Sequence, residues 1–307
     1  MKIDVIIPTY RPGRQFRELI RRLKVQTMPP DDILIWNTGE QYWKSSLEKL
    51  HLSEVHHIPK EEFDHGTTRA EAAKSSTADI LVFMTQDSLP AHVSLIEELV
   101  TPIIEGKCEA SYARQLPKKT ASLIEQYTRR FNYPKESRIK SWEDVGELGI
   151  KTFFCSNACA AYKKSIYDEL GGFGEHMIFN EDMVYAGKLV RHGYRIAYVS
   201  EAKVYHSHNY NLPTLFSRNF DLGVSQRMHP EIFAGIPSES EGIRLVLDTA
   251  KYLIQIKKPW LILELIMQSG VKFLGYRVGW NYDKLSLPMV KKLSMNKRFW
   301  DFEQNEK

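Results

Sequence analysis

Several kinds of protein are excluded by what this 307-residue chain has little of. It has three cysteines, Cys108, Cys155 and Cys159, and no CxxC pair. That is too few and too irregular for a disulfide framework or a zinc site, so the thiols read as buried and reduced. Long apolar runs are missing. The most apolar late stretch, Trp260 to Val271, is interrupted by Glu264 and is shorter than the ~20 residues a membrane span needs. The opening residues, Met1-Lys2-Ile3-Asp4, bring an acid and then only a short apolar run, not the extended core of a secretory leader. After that run the chain reads PTYRPG. GxGxxG is absent and so is a P-loop, which argues against a dinucleotide or glycine-cradled phosphate site. A net charge of +4 carries no nucleic-acid signal, and nucleic acid is not expected as a partner. No repeat or low-complexity segment stands out.

What is present is ordinary folded material, 43% hydrophobic and 26% charged, enough for a large core. The charge is unevenly spread. Between Lys251 and Trp300, Lys251, Lys257, Lys258, Lys272, Arg277, Lys284, Lys291, Lys292, Lys297 and Arg298 face only Glu264 and Asp283. A basic tail on a mildly acidic body points to an anionic partner surface.

Ile3, Val5, Ile6 and Ile7, closed by Pro8, read as a buried strand, followed by Phe16, Leu19, Ile20 and Leu23 at helical spacing. Strands follow at Ile33–Trp36, Val55–Ile58 and Ile80–Met84, with a helix near Tyr42–Leu50, another after Thr67, and a third carrying Leu95, Ile96, Leu99, Ile103 and Ile104. Continuous apolar strands alternating with amphipathic helices imply an α/β fold, a largely parallel sheet covered on both faces. Residues 132–149 are polar and aperiodic, the pattern of a functional loop, and a lid closing over a ligand is expected there. Thr152–Tyr162 reads as a strand, Glu181–His192 as a helix, and Arg195–Val199 and Lys203–Tyr205 as two short strands. Beyond Asn211 the texture is helical, with Ile243, Val246, Leu247, Ala250, Leu253 and Ile254 expected on one face.

Open parallel sheets bind ligands at the carboxyl ends of their strands. Thr9 and Tyr10 follow the first strand, Asn37 the second and Asp87 the fourth. Asp87 ends an apolar run, where it either caps the next helix or ligates a hard cation. Ser88 is available as the cap, which leaves Asp87 for the cation.

The chain resembles the family 2 glycosyltransferases of GT-A fold, and within them the bacterial rhamnosyltransferases. The resemblance rests on VIIPTYRPG at the start, FDHGTTR (63–69), TQDSLP (85–90), FFCSNACAAY (153–162), GGFGEHMIFNED (171–182) and VYHSHNY (204–210). It covers about the first 220 residues, so residues 1–220 are expected to be the catalytic domain and 221–307 a helical, basic C-terminal region. It implies inverting transfer of L-rhamnose from dTDP-L-rhamnose to a lipid-linked polysaccharide acceptor. A leaving diphosphate needs positive charge, and in such enzymes Mn2+ or Mg2+ on an acidic DxD motif supplies it. The matching triplet here is Thr85-Gln86-Asp87; the first acid is missing.

The resemblance implies Asp87 as a metal ligand together with His206 or His208, the alternative for each being a hydrogen-bonded structural histidine. Arg69 is implied as a diphosphate contact. Asp64 and His65 are implied at the base or diphosphate, with Thr67 as the alternative helix cap. Thr9, Tyr10 and Arg11 match the nucleoside-binding turn, Asn37 stands where an acid is usual, and Gln86 joins the donor side. Asp182 is implied as the general base, held low in pKa by the helix dipole. Asn157 and Glu181 are expected on the acceptor side. The alternatives are a transferase using another, UDP-linked donor, and a nucleotide-sugar-binding protein without catalysis.

The basic tail with Trp260, Phe273, Trp280, Phe299 and Trp300 fits either an anionic membrane surface or a packing or homodimer contact. The expected location is cytoplasmic, peripheral on the inner face of the cell membrane.

Overall fold

The apolar residues Ile3, Val5, Ile6 and Ile7 open β1 (Ile3–Tyr10), which runs on past Pro8 and Thr9. Pairing to the fourth strand stops at Ile6, while pairing to the second continues to Tyr10. Beyond Ile6 one edge of β1 is therefore open, and a residue without an N–H is tolerated there. The computed structural model describes residues 1–50, 52–236 and 239–305.

The other strands are β2 (Asp32–Thr38), β3 (Glu54–Ile58), β4 (Ile80–Met84), β5 (Leu89–Pro90), β6 (Ala110–Leu116), β7 (Arg138–Lys140), β8 (Cys159–Lys163) and β9 (Ile196–Tyr205). They form one sheet in the order β3-β2-β1-β4-β8-β6-β9-β5, with β7 paired to β9. β1, β2, β3, β4, β6 and β9 run one way; β5, β7 and β8 run against them. The sheet is thus mixed and mostly parallel, as expected. Successive residues serve opposite faces. Val5, Ile7, Val82 and Met84 pack under α1 (Arg14–Leu23) and α3 (Leu95–Ile104). Ile6, Leu81 and Phe83 pack under α2 (His65–Ser75) and the helix Glu181–Arg191, called α5 below. All three cysteines are buried and free.

Some local expectations are corrected. The helix expected near 42–50 is two 3₁₀ turns, Glu40–Tyr42 and Ser45–Leu50, anchored by buried Leu47; serines compete with the helical ladder for backbone groups. The strand expected from Thr152 begins only at Cys159, after a 3₁₀ turn at Gly149–Phe153. The two strands near 195–205 are one, β9, with an irregularity where Ala113 pairs Val199 and Arg114 pairs Lys203. Asp87 does not precede a helix directly: Leu89–Pro90 pair with β9 and α3 starts at Leu95. Ser88 bonds the Thr85 hydroxyl, 2.9 Å, and caps no helix.

The polar stretch 132–149 is ordered rather than irregular. It holds β7, locked to β9, and is tied by Arg138 to Asp144 (2.6 Å) and Glu147 (2.7 Å) and by a capping box between Ser141 and Asp144. Ion pairs and caps order it, and neither leaves an apolar period to read. β6 and α4 (Leu123–Asn132) went unread for a related reason: polar Ser111 and Gln115 are buried in β6.

The C-terminal part is helical: α6 (Leu212–Met228), α7 (Glu239–Gln255), α8 (Leu261–Trp280), α9 (Leu287–Leu293) and α10 (Phe299–Asn305). The boundary expected after residue 220 falls inside α6. There α6 and α8 touch backbone to backbone. A Cβ on Gly279 would lie 2.0 Å from the Phe220 carbonyl oxygen, and one on Gly223 2.4 Å from that of Tyr276; only glycine allows this approach. The apolar face expected along 243–254 is split. Leu253 is buried with Val246 and Ala250 against Ile124 and Leu265, whereas Ile243, Leu247 and Ile254 are 62%, 57% and 59% exposed. No helix among the described residues is long and apolar enough to cross a membrane.

Candidate active site

Parallel strands end at one edge of the sheet, and the loops past β1, β2 and β4 meet there. Gln86 stitches two of them: its side-chain amide accepts from the Tyr10 N–H (3.2 Å) and donates to the Tyr10 carbonyl (3.0 Å). Between these loops lies a cleft of about 360 Å³, lined by Thr9, Tyr10, Phe63, His65, Arg69, Gln86 and Asp87. It is also lined by Lys60, Asn296 and Arg298, which sequence reasoning missed.

Asp87 sits among cations and imidazoles. His206 Nε2 lies 3.5 Å from its Oδ1, and His208 Nε2 (3.4 Å) and Lys118 Nζ (3.1 Å) approach its Oδ2. One ligand atom from each of Asp87, His206 and His208 falls within 4.8 Å of the others. The tautomer of His206 follows from its far side. Arg129 donates to Gln115 Oε1, which fixes that atom as oxygen; His206 Nδ1, 2.8 Å from the same oxygen, must therefore carry its proton. Nε2, 3.0 Å from His208 Nε2 and 3.5 Å from Asp87 Oδ1, is in the neutral ring the nitrogen available to a metal.

Burial alone would raise the Asp87 pKa, but His206, Lys118 and His208 outweigh it and hold the carboxyl far below the usual range. Burial pushes His206 down against the pull of Asp87, and burial and His206 push His208 down to about 4. One carboxylate and two neutral imidazoles fit a divalent transition metal such as Mn2+ better than Mg2+, which prefers oxygen ligands. Both histidines, between which the sequence left the choice open, reach the candidate metal site. Lys118 had no signal in the sequence; it stands in a polar turn whose backbone N–H at 118 is held by Ser207, 2.9 Å away, between the two histidines.

The second carboxylate, Asp182, is at the start of α5, after Asn180 in a left-handed conformation (φ 70°). Its Oδ2 accepts from the Asn157 N–H (3.0 Å) and its Oδ1 from the Met183 N–H (2.8 Å). Asn157 lies just before β8, whose Cys159 pairs with Met84 at the end of β4. Asp182 and Asp87 are thereby at the same sheet edge, and the neighbouring Ser156 bonds Gln115, the partner of His206. The expected pKa of Asp182 is corrected: burial first, then the charge of Glu181, raise it, and the two backbone N–H groups do not compensate.

The remaining candidates divide. Thr9, Tyr10, His65, Arg69 and Gln86 face the cleft. Arg69 is already engaged, pairing with Glu181 at 3.3 Å in a buried ion pair and donating to the His65 carbonyl; its Nε is buried without a partner. Asn37 is fully buried beneath the turn, accepting from Thr9 (3.1 Å) and contacting His57. Asp64, and not Thr67, caps α2: its Oδ1 accepts from the N–H groups of Gly66, Thr67 and Met177. Arg11 (φ 50°) turns away onto the rings of Tyr10 and Tyr42 and donates to the Tyr42 hydroxyl, 2.9 Å. Asn157 and Glu181, expected on the acceptor side, are both buried and bond each other at 3.2 Å. Their side chains support the site from below, because a buried amide and carboxylate must satisfy one another.

A metal-compatible triad whose aspartate lines a cleft, with a separate carboxylate at the same edge of a mixed α/β sheet, is the arrangement of a sugar-transfer fold of GT-A type. The chain belongs to glycosyl transferase family 2, whose pattern matches residues 4–171. It is 38% identical over 306 residues to the O-antigen chain rhamnosyltransferase RfbN of Salmonella typhimurium (strain LT2), covering 98% of this chain and 96% of that one. To the O-antigen chain rhamnosyltransferase WbaN of Salmonella anatum it is 35% identical over 302 residues, covering 97% and 95%. The fold is shared with S. aureus TarS 1-349 (TM-score 0.55, 14% identity, 100% of this chain and 92% of that one). It is also shared with the mannosyltransferase PcManGT of Pyrobaculum calidifontis, solved with GDP-Man and Mn2+ (TM-score 0.57, 15% identity, 99% and 84%).

Proposed function

We propose that this glycosyltransferase moves L-rhamnose from dTDP-L-rhamnose to a lipid-linked O-antigen precursor with inversion at the anomeric carbon. The observation that supports the reading is the Asp87-His206-His208 triad at the sheet edge whose cleft Asp87 lines, with the Asp182 carboxylate held at the same edge by the Asn157 N–H. The names of the relatives support rhamnose as the sugar. A divalent cation on the triad, when bound, supplies positive charge for the departing diphosphate.

The chain's own groups do the rest. Thr9, Tyr10, Gln86, His65 and Arg69 line the donor side. Asn37, Asp64 and Arg11 hold the surrounding turns. The acceptor oxygen bonds to the anomeric carbon while the carbon–diphosphate oxygen bond breaks, and its proton passes to Asp182; dTDP leaves. A carboxyl raised by burial and by Glu181 is a stronger base than an ordinary one once it is ionised. Asn157 and Glu181 position it.

The catalytic unit runs past the expected boundary at residue 220, since α6 spans it and Asn296 and Arg298 line the cleft; the surface contact lies on α7, α8 and the turn between them. In α7, α8 and the turn between them, Ile243, Leu247, Ile254, Trp260, Leu263 and Phe273 are exposed, with Lys257 and Lys258 in that turn. Apolar groups flanked by cations fit the anionic inner face of the membrane, where the lipid-linked acceptor resides. Flotation with anionic vesicles checks this surface: binding that weakens with salt and is lost in Leu263→Asp supports it, and a dimer that ignores vesicles replaces it with a homodimer contact.

The activity is tested by incubating the protein with dTDP-L-rhamnose, Mn2+ and lipid-linked acceptors and reading product masses. A gain of one deoxyhexose is expected. Transfer only from a UDP- or GDP-linked donor overturns the choice of donor, and donor binding without transfer or hydrolysis overturns catalysis.

A further inference from the structure

The C-terminal strap reaches back to the cleft although it lies far outside the segment that matches the family. Its route is fixed by a buried acid. Asp221 of α6, 1% exposed, accepts from the backbone N–H groups of Met295 (2.9 Å) and Asn296 (3.1 Å). Asn296 donates its side-chain amide to the Ile178 carbonyl, 3.3 Å, in the loop that leads to Asp182. Phe299 and Trp300 are then buried with Ile178, Phe220, Val224 and Val290. Arg298 lies between these anchors and lines the cleft with Lys60, Arg69 and Asp87. In the structure it donates to the Lys60 carbonyl and pairs with Glu61 at 3.0 Å.

That pairing is weakly held. Arg298 is 37% exposed and Glu61 75%, and an ion pair so open to water gains little. The strap beneath it is firmly held, by two backbone hydrogen bonds to a buried carboxylate and two buried aromatic rings. A well-anchored backbone presenting a loosely engaged guanidinium to a cleft is suited to an anionic ligand. Arg69, the other arginine of the cleft, is committed to Glu181 in a buried pair. Guanidinium groups bind phosphate oxygens with paired, charge-assisted hydrogen bonds.

We infer that Arg298 is a donor-binding residue: it leaves Glu61 and engages the diphosphate of the nucleotide-sugar, so that the C-terminal strap completes the cleft. This rests on the proposed use of a nucleotide-sugar donor. It makes residues beyond the family segment part of the substrate site and couples α6, through Asp221, to donor affinity.

The test compares Arg298→Ala, Arg298→Lys and Glu61→Gln by calorimetric titration with dTDP, UDP and GDP, each beside its parent nucleoside. The nucleoside diphosphate that wild type binds is the one used for judgement. Arg298→Ala is expected to weaken it by about tenfold or more while leaving the nucleoside unchanged, and Arg298→Lys to recover part of the loss. Glu61→Gln is expected to bind as well as wild type or better, because it frees the guanidinium. If Arg298→Ala and Glu61→Gln weaken binding equally, the pair merely holds the Lys60–Phe63 loop and the inference is overturned. It is likewise overturned if nucleoside and diphosphate affinity fall together. If wild type binds a nucleoside diphosphate but Arg298→Ala is silent, only the strap inference fails; if wild type binds none, the donor reading fails with it.

Discussion

Asp87 and Asp182 share one sheet edge and have opposite surroundings. Around Asp87 stand Lys118, His206 and His208, and burial is overridden by attraction, so the carboxyl is anionic at any working pH. Around Asp182 burial acts first and the charge of Glu181 next, and together they raise it. In the proposed mechanism the first acid keeps its negative charge and the second takes up a proton. A pair of carboxylates driven apart in this way marks the division of labour in an acid–base site.

The comparison can be broken most sharply at Asp87. Replacement by Asn leaves Lys118 and two imidazoles without a counter-charge. Mn2+ affinity, read by calorimetry or electron paramagnetic resonance, is expected to fall more than about 100-fold, beyond the range for losing an outer-shell partner. Retention of wild-type Mn2+ affinity would mean that the triad is structural.

A smaller effect is expected one bond further out. Gln115→Leu removes the acceptor that fixes the His206 tautomer. Mn2+ affinity should drop about 10–100-fold while the folded protein persists. An unchanged affinity would show that the tautomer is set elsewhere.

The smallest and most diagnostic effect is on pH dependence. Asp182 must be ionised to accept a proton, and its folded pKa is raised, so kcat/KM should rise with pH along an acid limb lying well above the ordinary carboxylate range. His208, pushed down to about 4, does not mimic this limb. Glu181→Gln removes the repelling charge and should move the limb to lower pH. A limb that stays in place would assign it to another group.

The part of this site that was legible in the sequence is the part written by strand ends. Asp87 closes the continuous apolar run Ile80–Met84, and a charge at such a place belongs to the edge of a doubly covered sheet. His206 and His208 follow a strand in the same sense. Asp182 was legible only through its motif, since an acid in a first helical turn is common and its burial cannot be read from neighbours in sequence. Contacts between distant segments left no trace. Lys118 reaches Asp87 from a polar turn, and Arg298 comes to the cleft because Asp221 captures backbone amides seventy-odd residues away. Nor did spacing show that Arg69 spends its charge on Glu181, or that Asp64 spends its oxygen on capping α2. The α/β pattern was readable because the hydrophobic period is local. The stretch 132–149 was not, because ion pairs and a capping box hold it.

The separation of roles is tested most directly by Asp182→Asn, with dTDP titration in Mn2+ and rhamnosyl transfer measured on the same preparation. Wild-type dTDP affinity with transfer reduced about 10²–10⁴-fold is the result expected for loss of a general base. Transfer at the wild-type rate would contradict the account, since the proton of the acceptor hydroxyl would then have another destination.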